Sequence, residues 1–172
     1  KIRIYKNGWE NKVKMPKQKL FLRKADMTDL DMLFEWANNE LVRQNAFNTE
    51  QISYEEHKKW FKELLDDSKQ IQFIMYSGSE PIGQARLSIH MDEAEIDYSI
   101  ASEKRGMGYG KELIHLLQKI VSNEYTSIRK LVAKVKTSNA ASICCFRKNG
   151  FSETYSQYEY DMTKCRSEGY HI

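Results

Sequence analysis

Apolar positions along the chain switch between the period of a strand and that of a helix, and the switches mark the elements. Residues 19–25 (KLFLRKA) read as a first strand. Leu30, Leu33, Phe34, Ala37 and Leu41 then recur at the spacing of one helical face, behind a cap that Thr28 or Asp29 can supply. A loop from Ala46 to Ile52 leads to a second helix with a capping box, Ser53-x-x-Glu56, whose two side chains satisfy free N–H groups of the first turn. Trp60, Phe61, Leu64 and Leu65 form the apolar side of that helix, and Trp36 and Trp60 both read as core residues.

From Gln70 the period falls to two. Ile71–Tyr76 and Ile82–His90 flank Ser77-Gly78-Ser79-Glu80-Pro81, a run of turn residues, and together predict a hairpin. Asp92-Glu93 turns the chain into a third alternating run, Glu95 to Ile100. Leu113, Leu116, Leu117 and Ile120 restore helical spacing, and residues 130–136 (KLVAKVK) alternate again. Asn139 opens a short helix over 140–148 that Gly150 ends from the C′ position. Alternating aromatics over 151–162 read as one or two closing strands. This order, β-α-α-β-β-β-α-β-α-β, predicts an α+β fold: a mixed, mostly antiparallel sheet of roughly six to seven strands flanked by about four helices.

Composition narrows the setting. A chain of 172 residues accommodates one domain with a substantial core. Residues 1–18 are basic, polar and aperiodic, which predicts an arm or linker ahead of a single domain over 19–172. The net charge of +3 suits an anionic ligand and is too small to call for nucleic acid. No apolar run is long enough for a membrane span, and the basic first residues lack a signal peptide's apolar region. Cys144, Cys145 and Cys165 form no disulfide framework and no zinc spacing, so a reducing cytoplasm without a metal is the expectation.

The candidate chemistry centres on Arg105-Gly106-Met107-Gly108-Tyr109-Gly110, between a strand and a helix. A helix N-terminus has unpaired N–H groups and the positive end of the dipole, and glycines let backbone approach an anion. A P-loop is excluded because Glu112 follows Gly110-Lys111, and Gly-x-Gly-x-Gly departs from the dinucleotide fingerprint. The stretch instead matches Arg/Gln-x-x-Gly-x-Gly/Ala at Arg105, Gly108 and Gly110. A second motif, Asn139-x-x-Ser142-x-x-x-Phe146-x-Lys148-x-Gly150-Phe151, agrees with it. Both motifs and the element order over residues 19–163 resemble the GCN5-related N-acetyltransferase (GNAT) family.

That resemblance implies a direct transfer from acetyl-CoA to an amine. It assigns Arg105, Gly106, Met107, Gly108, Tyr109, Gly110 and Lys111 to the pyrophosphate, and the backbone of Tyr98, Ser99 and Ile100 to the pantetheine arm. A main-chain N–H of the same stretch, at Ser99, would face the developing oxyanion. Asn139, Ser142 and Phe146 would line the far side of the arm. Lys134 stands where some members carry a glutamate base, and Phe146 where many carry an acidic tyrosine. Glu95 and Asp97, on one strand face, are therefore the candidate bases, with Glu95 preferred because members often carry a base on this strand. Tyr98, Cys144 and Cys145 are possible substitutes for the acid.

The first two helices, Phe34 to Asn39, Val42-Arg43 and Ile52 to Phe61, look like the subgroup that acetylates nucleotide-linked amino sugars, the pseudaminic-acid pathway type. Arg43, Asn45, Phe47, His57 and Trp36 would then meet the acceptor's diphosphate and base. The alternatives are a protein N-terminal acetyltransferase of the ribosomal-protein type and a non-catalytic acyl-CoA-binding domain. Either a monomer or a homodimer is compatible with the sequence.

Overall fold

The computed structural model describes residues 18–155. The proposed arm over 1–17, and the closing strands from 156 onward, lie outside the described residues; 151–155 form no strand.

Strand β1 (Leu20–Lys24) leads into a 3-10 turn, Met27–Asp29. The cap of this turn is Asp26, two positions before Thr28, the nearer of the cap candidates: the Asp26 carboxylate accepts from the Thr28 N–H, and Asp29 accepts from the Asp26 N–H. The single helix expected through Leu41 is broken into α1 (Leu30–Ala37) and α2 (Glu40–Asn45). Asn38 causes the break. Its amide donates to the Ile52 carbonyl and its oxygen accepts from the Ile52 N–H, both at 2.9 Å. Asparagine side chains compete with the helix ladder in this way, and α2 consequently buries no residue.

The capping box on α3 (Tyr54–Asp66) forms as the spacing predicts, with reciprocal Ser53 and Glu56 bonds. His57, Phe61 and Leu64 are its buried residues, whereas Trp60 is 38% exposed, a correction to its expected core role. Trp36 is half-buried.

Strands β2 (Gln70–Ser77), β3 (Glu80–His90) and β4 (Glu93–Ile100) continue antiparallel from β1, and β5 (Lys130–Val132) joins β4 in parallel. The described sheet therefore has five strands in the order 1-2-3-4-5, fewer than expected. The predicted turn over 77–81 shrinks to Gly78 and Ser79. Pro81 enters β3 opposite Tyr76, beside a register shift where a missing donor is tolerated.

Phe73 and Met75 of β2 face one way, with Ala85, Leu87 and Ile96, onto Leu113, Ile114 and Leu117 of α4 (Tyr109–Glu124). Phe146 of α5 (Ala140–Lys148) joins them. Ile74 faces the other way, onto Leu30, Leu33, Phe61 and Leu64. Helices thus cover both faces of β2. The other half of the sheet is different: β5 pairs with β4 only from Glu93 to Glu95, and the strands part beyond Val132. The expected strand over 130–136 is cut to three residues by that divergence.

Candidate functional site

The parted strands open a cleft of about 970 Å³, bounded by α2, α3, the sheet, the glycine loop and α5. Its two halves differ in chemistry.

On one side is the N-terminus of α4. Gly108 is the N-cap residue at φ 86°, and Gly106 lies at φ 76°. No atom lies within 4 Å of a Cβ built at either position, so the left-handed backbone, and not crowding, requires glycine there. Gly110 has the opposite need: its Cβ would come 3.1 Å from Cys145 Sγ and 3.4 Å from the Tyr98 ring. Gly106, Gly108, Tyr109 and Gly110 line the cleft. Met107, 64% exposed, and Lys111 lie outside its lining. Arg105 reaches the cleft, but its guanidinium is engaged within the protein: Nε donates to the Ile100 carbonyl at 3.0 Å and Nη2 to Asn39 Oδ1 at 2.9 Å.

The wall facing this loop comes from α5. Asn139 Oδ1 accepts from the Ser142 N–H at 3.1 Å, so the asparagine is a working N-cap. Ser142 Oγ donates to Tyr98 Oη at 3.2 Å, and the Tyr98 ring meets Phe146 edge-on at 5.6 Å. Burial pushes the Tyr98 phenol well above its ordinary range, so it stays protonated. Beside it the outer edge of β4 from Ile96 to Ile100 has no strand partner among the described residues.

The other half lies beneath α2 and α3. Three polar residues of adjacent strands form a chain: Gln72 donates to Gln84, and Gln84 Nε2 to Ser99 Oγ at 3.1 Å. Next to it, Arg86 contacts Asp97 at 3.3 Å and lies 5.4 Å from the centre of the Trp60 ring. His57 is buried between Phe34, Trp60 and Phe61 and is 2% exposed; burial holds its pKa below the ordinary 6.5.

Of the two candidate bases, Asp97 lines the cleft. Glu95 does not line it and forms a 2.8 Å ion pair with Lys134. Arg43, Asn45 and His57 line the half beneath α2 and α3, while Phe47, 71% exposed, lies outside it. Residue patterns alone missed Gln72, Gln84, Arg86, Trp60 and Lys134. The available signal was three polar residues, Gln72, Gln84 and Arg86, each flanked by apolar or glycine neighbours inside β2 and β3. Among the described residues, no cluster of His, Cys, Asp and Glu could hold a metal, and no helix is long and apolar enough to cross a membrane.

Buried polar atoms almost always find partners. Among the described residues, Arg43 Nε, His57 Nε2 and Arg86 Nε are buried without one, and all three residues border this half of the cleft.

Comparison with known proteins gives a consistent picture. The acetyltransferase (GNAT) domain family matches residues 19–152. An uncharacterised N-acetyltransferase of Bacillus subtilis (strain 168), YfmK, is 26% identical over 125 residues, covering 72% of this chain and 79% of that protein. The acetyltransferase PseH of Campylobacter jejuni is 22% identical over 124 residues, covering 72% and 77%. Spermidine N-acetyltransferase from Vibrio cholerae, solved with CoA and spermine, superposes with a TM-score of 0.74 at 22% identity, covering 79% of this chain and 82% of that one.

Proposed function

The chain belongs to the GNAT acetyltransferase family, and from that premise we propose that it transfers acetyl from acetyl-CoA to the primary amine of a nucleotide-linked amino sugar. The residues present suit the cofactor. Gly106 and Gly108 leave open space before the first turn of a 16-residue helix, where N–H groups and dipole both favour a diphosphate. The edge of β4 from Ile96 to Ile100, unpaired among the described residues, offers main-chain groups to the amides of a pantetheine arm, as an added strand would take them.

When bound, acetyl-CoA supplies the acetyl group as a thioester. The chain's own residues supply the rest. Asp97 takes the proton from the acceptor amine, directly or through one water, with Arg86 fixing its carboxylate. A free N–H of β4 donates to the developing oxyanion. Phe146 has no proton to give, so Tyr98, kept neutral by burial and oriented by Ser142, is the protic group on that wall. The free thiols of Cys144 and Cys145 fit a reducing cytoplasm.

The acceptor assignment is carried by the three unpartnered nitrogens of Arg43, His57 and Arg86. Buried donors without acceptors cost about 1–3 kcal/mol each, a cost recovered by an oxygen-rich, anionic ligand such as a diphosphate. A polyamine would instead meet the two guanidinium groups as well as the carboxylates of Asp97 and Glu56. The test is CoA release with UDP-linked amino sugars, polyamines and short peptides as acceptors. The expected result is turnover of the sugar nucleotides alone; turnover confined to peptides or polyamines overturns the acceptor assignment.

A further inference from the structure

Helix α2 is six residues long and has no fully buried residue, so neither propensity nor core packing alone keeps it over the cleft. Polar ties do: Arg43 donates to the Asn48 and Glu50 carbonyls, and one tie holds each end. At the far end, Lys136, from the connection between β5 and α5, donates to the Gln44 carbonyl at 3.0 Å, where a cation suits the last carbonyls of a helix. At the near end, Asn39 Oδ1 accepts from Arg105 Nη2 while Arg105 Nε holds the Ile100 carbonyl. A single planar guanidinium thus fastens the last residue of β4 and the start of the glycine loop to the start of α2. The adjoining Asn38 carries the connection onward through its two bonds to Ile52, immediately before the Ser53 cap and the turn that bears His57.

We infer that Arg105 is a positioning residue that couples filling of the glycine loop to seating of α2 over the acceptor half of the cleft. The fork of an arginine reaches two acceptors at fixed angles. The loop conformation that keeps Arg105 on Ile100 is therefore also the one that presents Nη2 to Asn39. A ligand that fixes the loop lowers the cost of seating α2, and by linkage an acceptor that seats α2 tightens the hold on the cofactor. The inference rests on reading the loop as the cofactor's diphosphate cradle, and it departs from the family pattern's use of this arginine as a phosphate ligand.

Hydrogen exchange of the α2 amides in the full chain, with and without CoA, tests it. In the wild type, CoA is expected to slow exchange over residues 40–46 by at least about fivefold, the lower end of typical coupling. In Asn39→Ala and Arg105→Lys, CoA still binds, with affinity reduced no more than about tenfold, but no longer slows that exchange. Lysine keeps the charge and loses the fork. Protection of α2 that survives in both variants overturns the coupling. So does a loss of CoA affinity of about a hundredfold or more in Arg105→Lys beside an unaffected Asn39→Ala, which would make Arg105 a phosphate ligand. If Arg105→Lys does not fold, Asn39→Ala decides alone. Failure of the wild type to bind CoA overturns the cradle reading itself, an outcome distinct from binding without coupling.

Discussion

Gly108 holds a left-handed backbone at the N-cap of α4 with open space around its Cα. Alanine there costs about 1–2 kcal/mol through its Cβ alone and leaves the cradle empty of charge. Glutamate adds a carboxylate to the region proposed for the diphosphate. At an effective dielectric of 20, like charges 4 Å apart repel by about 4 kcal/mol. Calorimetry should show acetyl-CoA affinity falling more than about 100-fold in Gly108→Glu beyond the effect of Gly108→Ala. The two carboxylates of β4 separate by the same kind of reasoning. Asp97→Asn is expected to lower kcat by about 10²–10⁴-fold with little change in KM, whereas Glu95→Gln, relieved only of Lys134, changes kcat by less than about threefold. Equal losses would return Glu95 to the mechanism. His57 titrates in a predictable direction. Its folded pKa is depressed by burial, so below about 6.5 the unfolded chain binds the proton more readily than the native one. Stability is therefore full above that pH and falls as the pH drops toward the folded value. Melting curves from pH 8 to 5 should show this loss in the wild type and a shallower one in His57→Gln.

Helices and strands followed from period and capping wherever a single surface decided them. Ser53 and Glu56 formed the box their spacing predicts, and α4 and α5 begin at Gly108 and Asn139 as their motifs require. Misjudgements arose where a partner distant in sequence intervened. Ile52 captured Asn38 and split a helix; a register shift absorbed Pro81 into β3; divergence from β4 ended β5 early. The site divides in the same way. The glycine loop and the α5 cap are local and could be read from residue order. The wall of Gln72, Gln84, Arg86 and Ser99 exists only through cross-strand register. Energetic weight is unevenly shared among these elements. Leu117 of α4 is fully buried, and Leu117→Ala should cost about 2–5 kcal/mol in urea unfolding. Ser53→Ala, which removes one cap at the surface, should cost about 1 kcal/mol.

Taken as a whole, the molecule is solid around β2 and open around the end of β4. Core residues cover both faces of the former, while the latter parts from β5 after Glu95. A run of main-chain donors and acceptors left unpaired, as the end of β4 is among the described residues, is the template on which foreign chains add and fibrils start. By this account the ligand-free protein is the species prone to clumping, and the cofactor, by occupying the margin, acts as its solubiliser. Light scattering during slow heating should rise later with saturating CoA than without it, by more than the accompanying shift in melting temperature explains. Scattering that merely tracks unfolding would show that this margin is guarded by other means.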